Sequence, residues 1–336
     1  MTEKKLKAIR VDRGAGQAAM PDEAAEIAKV DAELVSADCA TEDEIIAAAM
    51  NADAIITVGA QITRRVSASL PRCKVIVRYG IGYDTIDVPG ATDAGILVVN
   101  IPDFCLEEVS SHAIALMLAL ARKLLPLNNL VKQGKWVEAM RSMAPMGPIH
   151  GQTLGIIGCG NIGRLSAVKA KPFGLRILGY DPYLDKEVAR SAGITLVPLP
   201  ELLREADYVT LHPLLNDETR HIIGEKELHQ MKRSAFLINT ARGPVVDEAA
   251  LVRALQDRRI AGAGLDVFEQ EPIAADSPLL KMDNVILTPH SAFFSDAAYA
   301  RLRRSVGQEA ARVLGGRWPK HVVNVDVKPK VPLARD

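Results

Sequence analysis

The stretch TLGIIGCGNIGRLSAVKAKPFG, residues 153–174, constrains the fold more than any other part of the chain. It reads as an apolar strand, then Gly158-x-Gly160-x-x-Gly163, then a helix. Glycines at that spacing permit a tight turn and let a helix amino terminus approach a pyrophosphate with its N–H groups bare. Further apolar strands are expected at 175–180, 208–212, 235–239, 262–267 and 284–288, with helices in most of the gaps. Continuous apolar strands separated by helices indicate a mostly parallel sheet covered on both faces.

The first hundred residues repeat the pattern. LKAIRV, AELVS, DAIITV, KVIVRYG and GILVV are strand candidates; Pro21 with Asp22 and Glu23 opens one helix and a Thr41 cap another. At 336 residues the chain is long enough for two domains, so the fold class is α/β with two Rossmann-like or flavodoxin-like domains. A helix dense in Ala and Leu is expected over about 107–125, buried between domains or subunits, followed by a looser segment over 132–151. A last helix starts at a Ser295 cap, spaces Tyr299, Leu302, Val306, Ala310 and Val313 by three and four, and stops at Gly315-Gly316. No strand follows it, so it needs another face to pack on. A return to the amino-terminal domain would supply one, with crossings near 100–106 and 290–296. The tail VDVKPKVPLARD is expected to be loosely ordered.

Lys plus Arg and Asp plus Glu number 41 each, so no net field favours nucleic acid or an anionic membrane. The most apolar run, AIALMLALA at 113–121, is too short to cross a bilayer. Cys39, Cys73, Cys105 and Cys159 are far apart with no metal spacing, which fits reduced, buried thiols in a cytoplasmic protein. The start of the chain lacks the apolar stretch of a secretory signal.

The glycine turn points to a dinucleotide. Asp181 closes a second strand 18 residues after Gly163, where a carboxylate can accept bonds from adenosine ribose hydroxyls and repel a 2′-phosphate, favouring NAD(H). A solvated turn residue is the plainer alternative. Cys159 needs only to be small. His212 and Pro213 end a strand on the ligand side of the sheet, with a structural or cofactor-wall role favoured over catalysis for His212; His221 reads as surface. Gly158, Gly160, Asn161, Ile162 and Gly163 of the turn, with Asp181, His212, Pro213, Thr240 and Asp266, form the expected cofactor set.

Three later strands each end in a charged turn: NTARG carries Arg242, FEQEP carries Glu271, and TPHSA carries His290. Gathered beside a nicotinamide, they suit hydride transfer to a 2-keto acid. His290 would exchange the proton, Glu271 would orient it and favour its charged form, and Arg242 would pair with the carboxylate and polarise the carbonyl. A salt bridge between domains is the alternative for Arg242.

On VRYGIGYDTIDV, GCGNIG, NTARG, GLDVFEQEP and TPHSA, in this order, the chain resembles the D-specific 2-hydroxyacid dehydrogenase family. The resemblance implies a homodimer in which the dinucleotide domain, 102–292, is inserted into a substrate domain of 1–101 with 293–325, leaving 326–336 as a tail. It implies that the active site lies between the two domains and that the helix near 107–125 takes part in dimer packing. It also implies that Arg242, Glu271 and His290 are the catalytic trio, that Asp266 sits near the nicotinamide carboxamide, and that the loop of Gly80, Ile81 and Gly82 receives the substrate carboxylate. A plain strand-to-helix turn would also explain those glycines.

IVRYGIGYDTIDV and the stretch after His290 look most like the carboxyl-terminal-binding protein branch, which adds Arg78 as a carboxylate contact; a charge on an edge turn is the alternative. Phe293 stands where the branch's co-repressors have tryptophan, keeping an aromatic wall without the indole donor. No compact cationic cluster demands a substrate phosphate, although Arg64 and Arg65 bear on that point. The Glu–His pair favours hydroxy/keto interconversion over formate oxidation, which releases no hydroxyl proton. The expected substrate is a small 2-keto or 2-hydroxy acid, with no nucleic acid or membrane partner. The competing expectation is an NAD-responsive interaction module with a vestigial site.

Overall fold

The computed structural model describes residues 5–14 and 20–335, and the chain divides into two compact units, Met1–Phe104 with Ser295–Asp336 and Cys105–Phe294. The first is built on β1 (Leu6–Asp12), β2 (Ala32–Asp38), β3 (Ala54–Thr57), β4 (Val75–Arg78) and β5 (Leu97–Val99). They form a parallel sheet in the order β2-β1-β3-β4-β5. Crossovers carry α1 (Pro21–Ile27), α2 (Glu42–Ala49), α3 (Arg64–Ala68) and α4 (Val88–Asp93). Helices on both faces explain why Ile55, Ile56, Val75, Ile76 and Val77 are all fully buried with no polar alternation along β3 and β4. Thr41 caps α2 in a reciprocal box with Glu44.

The second unit begins with α5 (Leu106–Ala121), α6 (Leu124–Lys132) and α7 (Trp136–Arg141). The single helix expected over 107–125 therefore ends early, and the segment expected to be loose contains helix. Pro126, in the first turn of α6, has no N–H to return to the Arg122 carbonyl, so one continuous helix cannot run through this point. Lys123 takes a left-handed conformation, φ 49°, while its Nζ donates to the carbonyls of Ser142 and Ala144 at 3.0 and 3.1 Å. The proline is a local signal; the long-range anchoring of Lys123 has none.

There follow β6 (Thr153–Ile157), α8 (Asn161–Ala170), β7 (Arg176–Tyr180), α9 (Lys186–Ser191), β8 (Thr195–Leu196), α10 (Leu199–Glu205), β9 (Tyr208–Leu211), α11 (Glu225–Gln230), β10 (Phe236–Asn239), α12 (Glu248–Gln256), β11 (Gly262–Leu265) and β12 (Val285–Leu287). The seven strands are parallel in the order β12-β11-β10-β9-β6-β7-β8. Leu154, Ile156 and Ile238 belong to a core shared with α5, and Val209, Leu237 and Leu265 to a core shared with α10 and α12. Asp247 accepts from the Ala250 N–H and caps α12 at Glu248, while residues 243–245 form a short 3-10 turn.

The last helix, α13 (Asp296–Leu314), is capped by Ser295 and released at Gly316, φ 78°. It packs on α1 in the first unit, where a Cβ on Gly307 would come within 2.8 Å of Glu23 Cα. The tail departs from its expected looseness. Trp318 N–H bonds to the Ala334 carbonyl at 2.7 Å, Lys330 Nζ reaches the Leu70 carbonyl at 2.7 Å, and Val327 is buried. Isolated hydrogen bonds, backbone and side chain, hold it, and these leave no periodic trace in sequence. Among the described residues no single helix is long and apolar enough to cross a membrane.

In the first sheet, chain direction diverges between β1 and β3, the position where open α/β sheets form a crevice. Asp12 fills it. Its buried carboxylate accepts from the Val58, Gly59 and Ala60 N–H groups at 2.8–3.0 Å and from Thr57 Oγ1 at 3.1 Å. Asp12→Ala strands these donors and is expected to cost about 3 kcal/mol of unfolding free energy. Urea denaturation checks it; an unshifted midpoint would mean that water satisfies the loop equally well.

Candidate active site

Each glycine of the 158–163 turn answers to a different contact. Gly158 has φ 83°, and a Cβ there would lie 2.5 Å from Pro213 N, while a Cβ on Gly163 would lie 2.2 Å from the Gly158 carbonyl oxygen. Around Gly160 nothing lies within 4 Å of that position, so its backbone is open to a ligand at the start of α8, where Asn161 and Ile162 form the first turn. Asp181, just past β7, accepts from Cys159 N at 2.9 Å and Tyr183 N at 3.0 Å. One oxygen thus braces the glycine turn, and the half-buried carboxylate keeps further lone pairs able to accept. Burial, followed by the charge of Asp181, pushes the Cys159 thiol up to about 12, so it is no thiolate.

His212 Nε2 lies 3.0 Å from Thr210 Oγ1. Burial pushes its pKa down to about 3, which keeps the ring neutral and unable to serve as an acid near pH 7. Its Nδ1 and the Oγ1 of Thr240 are buried polar atoms with no hydrogen-bond partner among the described residues. Both stand at the carboxyl ends of the neighbouring strands β9 and β10, beside β6 and its glycine turn. Two unsatisfied polar atoms, an open glycine backbone and a ribose-type acid fit a dinucleotide.

The charged turns at β10, β11 and β12 are locked together. Asn239 accepts from Ala241 N at 3.0 Å and donates to the Arg242 carbonyl at 2.9 Å, shaping the turn that carries Arg242. A Cβ on Gly243 would lie 1.9 Å from the Phe268 carbonyl oxygen, so only glycine lets this turn meet the loop that carries Glu271. That loop folds back on itself through Phe268 N–H to Glu271 Oε1, 3.1 Å. Glu271 Oε2 then meets His290 Nδ1 at 2.7 Å.

Asp266 builds the turn under His290. Fully buried, it accepts from Thr288 Oγ1 at 2.6 Å, Ser291 N at 2.9 Å and Ala292 N at 2.9 Å, and its carbonyl accepts from His290 N at 2.8 Å. Its carboxylate is committed to the 288–292 turn. His290 is held in the left-handed region, φ 51°, with the Phe293 ring edge-on at 6.2 Å. Sequence reasoning missed Asn239, Thr288 and His112, whose Nε2 lies 3.0 Å from Thr288 Oγ1. Only a lone polar residue in an Ala/Leu helix could have flagged His112.

Arg242, Glu271 and His290 all stand in the second unit. The Arg78 loop belongs to the first. Arg78 ends β4 and donates from Nη1 to the Tyr79 carbonyl; Gly80 has φ 140°, and Asn100 Nδ2 holds the Ile81 carbonyl at 2.7 Å ahead of Gly82. Arg64 is ion-paired with Asp93, and Arg65 with Glu42 and Asp43, so neither is set aside for a phosphate. His221, on the surface, pairs with Glu269 at 2.6 Å.

A family profile described as "D-isomer specific 2-hydroxyacid dehydrogenase, NAD binding domain" matches residues 114–292, more than half of the chain. The chain belongs to the D-isomer specific 2-hydroxyacid dehydrogenases. Among curated relatives, "Glyoxylate reductase" of Korarchaeum cryptofilum is 43% identical over 285 residues, 84% of this chain and 86% of the relative. Among solved structures, D-lactate dehydrogenase from Aquifex aeolicus, complexed with NAD and lactic acid, is 30% identical with a TM-score of 0.81, covering 94% of this chain and 99% of that one. The NADPH-dependent glyoxylate/hydroxypyruvate reductase from Sinorhizobium meliloti, in complex with NADP and malonate, is 28% identical with a TM-score of 0.85, covering 98% and 100%. The protein is a nicotinamide-dependent oxidoreductase of 2-hydroxy and 2-keto acids.

Burial works against charge on Glu271, but the His290 hydrogen bond and charge, the Phe268 N–H and the Arg242 guanidinium outweigh it and hold its carboxyl below the ordinary 4.5. A depressed carboxyl contributes stability that is complete above the unfolded pKa and lost as pH falls through the folded value. Glu271→Gln is therefore expected to flatten the acid limb of the melting-temperature profile below about pH 4.5. An identical limb in both proteins would remove this linkage.

Proposed function

We propose that the protein is an NAD(H)-dependent reductase of a short 2-keto acid, with His290 as the proton-exchanging group, Glu271 as its orienting partner and Arg242 as the cationic contact. The observation that carries this reading is the 2.7 Å Glu271–His290 bond on adjacent loops, beside the arginine turn. Bound NADH supplies the hydride. The carboxylate of Glu271 accepts at Nδ1, so the opposite ring nitrogen, Nε2, is the atom that donates to the developing alkoxide and takes its proton back in oxidation. Arg242 stabilises negative charge on the carboxylate and the carbonyl oxygen. Phe293 borders His290 and limits side-chain size.

Gly158, Gly160, Asn161, Ile162, Gly163, Asp181, His212, Pro213, Thr240 and Asp266 form the proposed cofactor set, Asp266 also scaffolding the 288–292 turn. Arg78, Gly80, Ile81 and Gly82 are proposed as substrate contacts on sequence resemblance. The branch likeness to carboxyl-terminal-binding proteins rests on sequence stretches alone. The glyoxylate reductase name of a 43%-identical relative favours glyoxylate or a similar small keto acid. We infer a homodimer from the exposed Leu124, Leu125 and Val131 of α6 and Trp136, Val137 and Met140 of α7, an apolar run that a second copy would cover. Four free, buried cysteines fit a reducing, cytoplasmic setting.

His290→Ala is expected to keep dinucleotide affinity while lowering kcat with glyoxylate at least about 100-fold, the scale of general acid–base catalysis. Fluorescence titration and steady-state rates separate the two; parental turnover would take His290 out of the chemistry. Asp181→Ala is expected to narrow the NADH/NADPH ratio of kcat/KM by roughly tenfold, the scale of one charge-assisted hydrogen bond. A constant ratio would place cofactor choice on other residues.

A further inference from the structure

The knot under His290 receives one side chain from outside its own two loops. His112 reaches it from α5, and the seat of that helix is tight. Leu116, one turn on, lies so close to β11 that a Cβ on Gly264 would come within 3.1 Å of Leu116 Cβ. Gly264 stands two residues before Asp266. The glycine thus brings α5 down onto the strand, and the same helix face carries His112 to the strand's carboxyl end. There His112 Nε2 lies 3.0 Å from Thr288 Oγ1 and 3.7 Å from Asp266 Oδ1.

The direction of the bonds follows from proton inventory. The ionised Asp266 carboxylate only accepts, so the single Thr288 hydroxyl proton goes to its Oδ1, at 2.6 Å. The hydroxyl oxygen must then accept from His112, which fixes the proton on Nε2. A chain results: His112 Nε2–H to Thr288 Oγ1–H to Asp266, whose remaining lone pairs hold Ser291 N and Ala292 N. His290 is pinned inside that turn in a left-handed conformation that a non-glycine residue keeps only when its surroundings enforce it.

We propose that His112 is a positioning residue for His290. By holding the Thr288 hydroxyl on Asp266, it sets the backbone of 288–292 and the direction in which the His290 ring meets Glu271. This rests on the reading of His290 as the proton-exchanging group for its effect on rate, but its effect on the ring's position does not.

The test compares His112→Leu with His112→Gln, since the Gln amide can present a donor where Nε2 stood. With glyoxylate and NADH, His112→Leu lowers kcat about 10- to 100-fold, the scale for a misplaced catalytic group. KM and NADH affinity stay within about threefold, and His112→Gln recovers most of the rate. Nitrogen-15 NMR of histidine-labelled protein without ligands gives the second readout: the His290 Nδ1 resonance moves in His112→Leu and returns in His112→Gln. An unmoved resonance, or a Gln variant as impaired as Leu while both fold, overturns the proposal. If His112→Leu does not fold, Thr288→Val against Thr288→Ser puts the same question with the same two outcomes. A resonance that moves, in a protein whose His290→Ala variant still turns over, would leave the positioning role standing and remove only the assigned chemistry.

Discussion

The Asp266 carboxylate is the interaction on which the candidate centre depends. A fully buried anion is costly unless its lone pairs are occupied, and here they take two backbone N–H groups and a hydroxyl from a single turn. The requirement acts in both directions. Asp266 needs the 288–292 backbone to be neutralised, and that backbone needs Asp266 to hold His290 in a left-handed conformation. A strand end, a buried acid and a histidine turn therefore form one unit, to which Glu271 is added by a single 2.7 Å bond.

Close backbone approaches do the rest of the placement. Gly243 allows the arginine turn to meet the Phe268 carbonyl, and Gly158 allows the cofactor turn to lie against the His212–Pro213 peptide. Both are contacts that any side chain would block, so the centre is assembled by missing atoms as much as by functional groups. The parallel order of the seven strands puts these turns at one edge of the sheet. Neutral His212 and orphaned Thr240 leave unsatisfied polar atoms at that edge, which a dinucleotide can answer.

Much of this was legible in one dimension. Apart from the two-residue edge strand β8, which was not expected, the strands of both sheets follow from continuous apolar runs, because strands buried on both faces cannot alternate. The Thr41 and Ser295 caps and the Gly316 stop follow from local hydrogen-bond and backbone preferences. Illegible were features made by distant partners: the anchoring of Lys123 on carbonyls some twenty residues on, although Pro126 marks the break itself, and the tail held against Leu70 and Gly95. The hydrogen bonds of Asp266 were illegible for a related reason, since a buried acid beside a cofactor site and a buried acid under a loop look identical in sequence.

Sequence alone determined the α/β class, the parallel order implied by strand–helix alternation, and the residue types capable of hydride-coupled proton exchange. Those depend on interactions within about one turn or strand, or on chemistry intrinsic to a side chain. Tertiary structure decided which atom of each residue is committed and which remains available: Glu271 on Nδ1 of His290, Asp266 on a turn, His212 desolvated and neutral, His112 brought down by a glycine in a strand. Desolvation and hydrogen-bond direction depend on what surrounds an atom in space, and chain order does not specify that.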